Sequence, residues 1–238
     1  MTRRIEWLRA RDLELIASLA AIGVLILLFL ALADEVTELD TQKIDEAILL
    51  ALRTAPDDPI GSSKVEAAMM HISALGSGVV TGLIVVLTTV FFVLAGHWRY
   101  ATLLVACSAG VGVVMTLLKG LFERARPTVV THIDPPGGMS FPSGHSMISA
   151  ALYMTLAVMI ARTLDQRRLR VYVVACGAFL AMLIGFTRVY LGVHYPSDVL
   201  AGWTLGLTWA LICGLVVRQL GKKGVQDVPS IDTEDEPK

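Results

Sequence analysis

The chain has 238 residues, of which 55% are hydrophobic and 17% charged, and its formal net charge is −1. The apolar residues arrive in long blocks, which excludes an ordinary soluble domain and points to an all-α, polytopic membrane protein. The near-neutral charge gives no footprint for nucleic acid. The three cysteines, Cys107, Cys176 and Cys213, fall inside apolar runs and read as packing residues rather than ligands or a disulfide framework.

A helix needs about 20 apolar residues to cross the hydrocarbon. Six runs are expected to span: 13–33, 76–95, 101–119, 146–163, 171–187 and 199–218. The first follows Arg3, Arg4, Arg9 and Arg11 and ends in Ala31-Leu-Ala33, which resembles a secretory leader. It is too long for a typical leader core, so an uncleaved anchor is expected. An acidic segment comes next, with Asp34, Glu35, Glu38, Asp40, Asp45, Glu46, Asp57 and Asp58. Asp40 is placed to cap a helix from Thr41 to Arg53, with Ile44, Ile48, Ala51 and Leu52 on one face. Turn residues 55–63 follow, and 64–75 resumes a helical pattern. Two readings of these helices stand: they lie in the membrane interface, or they pack on the bundle. Residues 1–223 read as one six-span domain, and 224–238 as a disordered acidic tail. No span carries an association motif that specifies an oligomer.

Lys and Arg gather in cytoplasmic loops. Arg99, the group Arg162, Arg167, Arg168 and Arg170, and the group Arg218, Lys222 and Lys223 fall on the same side as the N-terminal arginines. Both termini are therefore expected in the cytoplasm. Lys119, Arg124, Arg126 and Arg188 break the rule by lying at the outer face. Outer cations without a topological purpose point to an anionic ligand.

These cations belong to three polar segments, each at the end of an apolar run. In the first, Lys119 and Arg126 are seven residues apart and share a face if the helix continues to Pro127. Arg grips phosphate bidentately and Lys adds a point charge. In the second, Pro142-Ser-Gly-His145, Ser143 is a natural N-cap and Gly144 leaves room for close approach. The free N–H groups at that helix start form an anion site. The same positive end disfavours a charged His145 until a phosphate dianion binds, which suits a general acid. In the third, Arg188 precedes His194 and Asp198. Pro196 holds Tyr195 extended and starts a helix, with Asp198 in its first turn. An Asp198–His194 pair would fix the imidazole tautomer and leave the other ring nitrogen as a nucleophile. His71, His97 and His132 lie outside these segments and read as structural or surface residues. No carboxylate cluster suits a divalent metal, so neither metal nor cofactor is expected. The cations and the helix start supply the electrostatics instead.

Lys-x6-Arg-Pro, Pro-Ser-Gly-His and Arg-x5-His-x3-Asp, in this order over 119–198, resemble the type 2 phosphatidic acid phosphatase (PAP2) superfamily. The six-span layout extends the likeness to about 65–218. The resemblance implies that Lys119, Arg126 and Arg188 bind phosphate, with hydrogen bonds from Ser143 and Gly144. It implies that His194, oriented by Asp198, attacks phosphorus, and that His145 protonates the leaving oxygen and then helps to activate water. It further implies a metal-independent enzyme of the bacterial inner membrane acting on lipid phosphates or pyrophosphates among membrane lipids. One position departs from the motif: Thr187 stands where serine usually precedes the arginine, and keeps a hydroxyl. A lipid phosphotransferase would use the same site. A non-catalytic lipid-phosphate binder or transporter is the alternative from another class, but transporters usually bind near the midplane, and binding needs no His194–Asp198 pair. A haloperoxidase would need vanadate in the pocket, whereas six spans suit a lipid substrate.

Overall fold

The structure, a computed structural model, describes residues 2–133 and 137–224. Its elements in chain order are α1 (Thr2–Thr37), α2 (Gln42–Ala51), a hairpin of β1 (Arg53–Ala55) and β2 (Asp58–Pro59), then α3 (Ser63–Ala74), α4 (Gly78–Leu94), α5 (Trp98–Phe122), α6 (Gly144–Ala161), α7 (Arg167–Tyr190) and α8 (Pro196–Gly224). Five helices are long and apolar enough to cross a membrane by themselves, α1 doing so over Asp12–Thr37 and α8 over Pro196–Val216. A sixth span is reached only when α3 and α4, which meet at 45° across a short break, are taken as one bent pair. Alone, the 17 residues of α4 rise about 26 Å, short of the ~30 Å hydrocarbon thickness. The segment expected as a loop helix at 64–75 is helical, as α3, and runs into this bend. The acidic tail expected after residue 224 lies outside the described residues.

Helix α6 is the hub. Its buried side chains are mostly small, including Ser146, Ser149, Ala150, Ala151, Thr155 and Ala157. Small residues let neighbouring helix backbones approach closely, the chief source of packing energy between helices in lipid. Helix α8 answers with Gly202 and Gly206. A Cβ on Gly202 would stand 2.7 Å from the Ser143 carbonyl oxygen, and one on Gly206 only 2.5 Å from that of Met147. Two indoles extend the lock. Trp203 donates to the Ala181 carbonyl of α7 at 3.0 Å and Trp209 to the Cys107 carbonyl of α5 at 2.8 Å. Helix α1, by contrast, is mostly exposed and packs through Phe29, Ala33 and Val36 beside Phe122 and Phe141.

Two local expectations are corrected. Asp40 does not cap α2. Leu39 takes a left-handed turn (φ 66°), and the Asp40 N–H donates back to the Glu35 carbonyl at 3.0 Å. The helix then starts from Thr41, which makes no side-chain capping bond, and ends at Ala51, so that Arg53 opens β1 instead of closing the helix. The cysteines are not all packing residues either. Cys107 of α5 and Cys213 of α8 are joined in a disulfide (Cα–Cα 6.6 Å), while Cys176 is free.

Candidate active site

All three polar segments meet at one end of the bundle, but not by the route the spacing predicts. Helix α5 ends at Phe122, because Glu123 adopts a left-handed conformation (φ 45°). Arg126 therefore lies beyond the helix and shares no helical face with Lys119. The loop brings the two cations together instead. Lys119 Nζ donates to the Met139 carbonyl at 2.6 Å, and Arg126 Nη2 donates to the same oxygen at 3.3 Å. Arg126 also reaches the Gly138 carbonyl through Nε (2.9 Å) and the Val193 carbonyl through Nη1 (2.7 Å). Burial lowers the pKa of Arg126, opposed by the nearby Asp198 charge.

The second segment opens α6. Ser143 occupies the N-cap position, fully buried, yet its hydroxyl makes no capping bond and accepts from Ser146 Oγ at 3.0 Å. Its N–H donates to the Asp198 carbonyl at 3.0 Å, which ties the second segment to the third. Gly144 allows α5 in close, since a Cβ there would stand 2.7 Å from Met115 Sδ and 3.9 Å from Lys119 Cε. His145 lies within electrostatic reach of Arg188, His194, Lys119 and Arg126. On its other side is the α3–α4 break, where a Cβ on Gly76 would come within 3.3 Å of the imidazole.

In the third segment, the Arg188 carbonyl accepts from both Val193 N–H (3.2 Å) and His194 N–H (3.3 Å), and Gly192 supplies the positive φ (75°) of the turn. The fold buries Arg188, which donates to Ser73 Oγ of α3 at 2.5 Å. Thr187 gives its hydroxyl proton to the Ile184 carbonyl at 2.6 Å, within its own helix. His194 is 2% exposed. Its Nδ1 stands 3.3 Å from Asp198 Oδ2, and its Nε2 stands 3.2 Å from Arg126 Nη1. An arginine only donates, so this contact requires the lone pair on Nε2 and the proton on Nδ1.

Sequence reasoning passes over several supporting residues. Ser140 donates to Asp198 Oδ2. Arg124, expected to serve a ligand with the other outer cations, is held by protein carboxylates instead: Asp198 Oδ1 at 2.6 Å and Asp45 Oδ2 at 2.9 Å. Its guanidinium also lies over the Tyr195 ring at 4.2 Å. Ser73 carries no sequence signal, being one hydroxyl in an apolar stretch. Of the remaining histidines, His71 and His97 are exposed, and His132 pairs with the Pro127 carbonyl at 2.7 Å.

Burial pushes the His194 imidazole down to about 4, against the raising effect of Asp198. The ring is therefore neutral, as a nucleophile must be, from about pH 5 upward. In the unfolded chain it titrates near 6.5. Between these values the unfolded state binds the extra proton, so folding stability falls as pH drops from about 6.5 towards 4. Thermal unfolding in detergent over this range is expected to show the loss, and His194→Gln to flatten it.

A cleft of about 230 Å³ opens between α4, α5 and α6, lined by Thr81, Val85, Leu104, Val111, Ile148 and Trp209 among others. It begins one turn below His145 and is mostly apolar.

Comparison with known proteins bears on the chain as a whole. The model of the PAP2 superfamily matches residues 96–222, more than half of the chain. A phosphatidylglycerophosphatase B of Bacillus subtilis is 32% identical over 77% of this chain and 88% of its own length. A lipid A 1-phosphatase of Rhizobium johnstonii is 30% identical over 69% of this chain and 75% of its own. The crystal structure of a transmembrane PAP2-type phosphatidylglycerolphosphate phosphatase from Bacillus subtilis superposes with a TM-score of 0.74 at 29% identity, covering 85% of this chain and 96% of that one. On these matches the chain belongs to the PAP2 superfamily and is an integral-membrane phosphatase.

Proposed function

We propose that the chain hydrolyses a lipid phosphate or pyrophosphate through a phosphohistidine on His194, without a metal. The observation that carries this reading is the orientation of His194, with Nδ1 toward Asp198 and the Nε2 lone pair beside Arg126. In the first step Nε2 attacks phosphorus, the N–P bond forms, and the P–O bond to the lipid breaks. Lys119, Arg126 and Arg188 balance the charge on the phosphoryl oxygens, with hydrogen bonds from Ser143 and Gly144 at the helix start. His145 gives a proton to the leaving oxygen. In the second step it takes a proton from water as the water attacks phosphorus and frees His194.

The apolar cleft supports a lipid substrate, since its lining on α6 starts at Ile148, one turn past His145, and offers apolar space for a lipid chain. Residues 1–223 would act as one domain in a bacterial inner membrane, with both termini cytoplasmic and the site on the outer face. Phosphatidylglycerophosphate, lipid A 1-phosphate, phosphatidic acid and undecaprenyl pyrophosphate are the candidate substrates. The test is phosphate release from each of these in detergent with EDTA present. Release from at least one is expected. Activity only after metal is restored would overturn metal independence, and none with any lipid under either condition would overturn the hydrolase reading. A phosphotransferase would instead move the phosphoryl group to an added acceptor lipid.

A further inference from the structure

Asp45 comes from α2, far from the three segments in sequence, and the mechanism above gives it no part. Of the eight acids in residues 34–58 it is the one the fold buries, at 2% exposed. Its two carboxylate oxygens face different partners. Oδ1 accepts the Ser197 N–H at 2.9 Å, and Oδ2 accepts from Arg124 Nη2 at 2.9 Å and from Ser197 Oγ at 2.5 Å. Arg124 in turn holds Asp198 Oδ1 through Nη1, and Asp198 faces His194. The result is a buried row of alternating charge, Asp45–Arg124–Asp198, that ends on the nucleophile.

We propose that Asp45 is a positioning residue whose negative charge neutralises Arg124 and so leaves the charge of Asp198 available to His194. The inference rests on the phosphohistidine reading. Before reaction the row carries one net negative charge beside a neutral imidazole. When phosphorus bonds to Nε2 and the lipid oxygen departs with a proton from His145, His194 keeps its Nδ1 proton and becomes cationic. The row then sums to zero with it. Without the Asp45 charge, Arg124 and Asp198 would cancel each other, and the cation on His194 would be uncompensated in a buried, weakly screened site. Asp45 also accepts the Ser197 N–H in the first turn of α8, which is a purely structural duty. Asparagine keeps an oxygen for that bond, while its amide NH2 gives up both the charge and the acceptor that face Arg124, so the two roles separate.

The test uses the full-length protein in detergent. Asp45→Asn is expected to lower kcat by about 100-fold, as for loss of other electrostatic stabilisers of a transition state, while KM moves little. The rate at which label from a ³²P-lipid enters the protein should fall by the same factor. The double variant Asp45→Asn/Arg124→Gln removes both outer charges and restores the net charge of the row, so it should be about tenfold faster than Asp45→Asn alone. A structural role would lower the unfolding temperature instead, with labelling slowed only in proportion to unfolded protein and the double variant slower still. Wild-type labelling kinetics in Asp45→Asn would overturn the proposal, as would a folded double variant no faster than the single one. If the double variant fails to fold, the labelling rate of the single variant decides. Inactive wild-type protein, or full turnover in His194→Ala, would count against the phosphohistidine reading instead.

Discussion

Replacing His194 with alanine is expected to reduce phosphate release by roughly four to six orders of magnitude, the scale seen when a covalent nucleophile is removed. Ser140 donates to Asp198 and lies 3.4 Å from His194 Nδ1, on the side of the ring away from the attacking Nε2. The loss should appear in kcat, because Lys119, Arg126 and Arg188 remain to bind the phosphate group. It should also abolish the acid-labile, alkali-stable label that a phosphohistidine leaves on the protein. Thermal unfolding would confirm that the variant is folded. Turnover within tenfold of wild type would remove His194 from the nucleophile's role.

Arg188→Ala is expected to have the next largest effect, a fall of about a thousandfold in kcat/KM. Arg188 is the most buried of the three cations, at 1% exposed, so no water replaces its charge cheaply. Arg188→Lys should recover less than about tenfold of the loss, because an ammonium cannot reproduce the planar two-point grip. Ser73→Ala is the accompanying control. It removes only the hydroxyl that holds Nη1, and about tenfold in rate is the expected scale for one such bond. If Arg188→Ala loses stability but keeps kcat/KM in its folded fraction, the arginine is structural and the clamp has two members.

The parts of the fold that were legible in the sequence are those governed by the bilayer. Long apolar runs and charge asymmetry predict the spans because hydrocarbon forces every backbone group into a helix. The bend between α3 and α4 was hidden, since a break of three residues leaves composition unchanged. In the site, Lys119, Arg126, Ser143, Gly144, His145, Arg188, His194 and Asp198 stood out as charged or hydrogen-bonding groups at the ends of greasy segments. The path that joins Lys119 to Arg126 did not, because a single left-handed residue, Glu123, replaces the helical spacing with a loop. Arg124 looked like a ligand for an anion because its partner Asp45 lies 79 residues away among seven acids of similar appearance. No local pattern marks which acid of such a cluster will be buried.

The fit of Gly202 and Gly206 against α6 has a consequence for how such a protein can diverge. Helices α6 and α8 carry two of the three polar segments, and their backbones touch too closely for either to shift without the other. They behave as one rigid chassis for the reaction. Helix α4, which supplies one wall of the apolar cleft, presents most of its large side chains outward, with Val79 and Leu94 each 83% exposed. Few protein neighbours constrain it. If the cleft takes the lipid chain, as proposed, lipid preference would drift through α4 while the phosphate chemistry stays fixed, and relatives that share a reaction need not share a substrate.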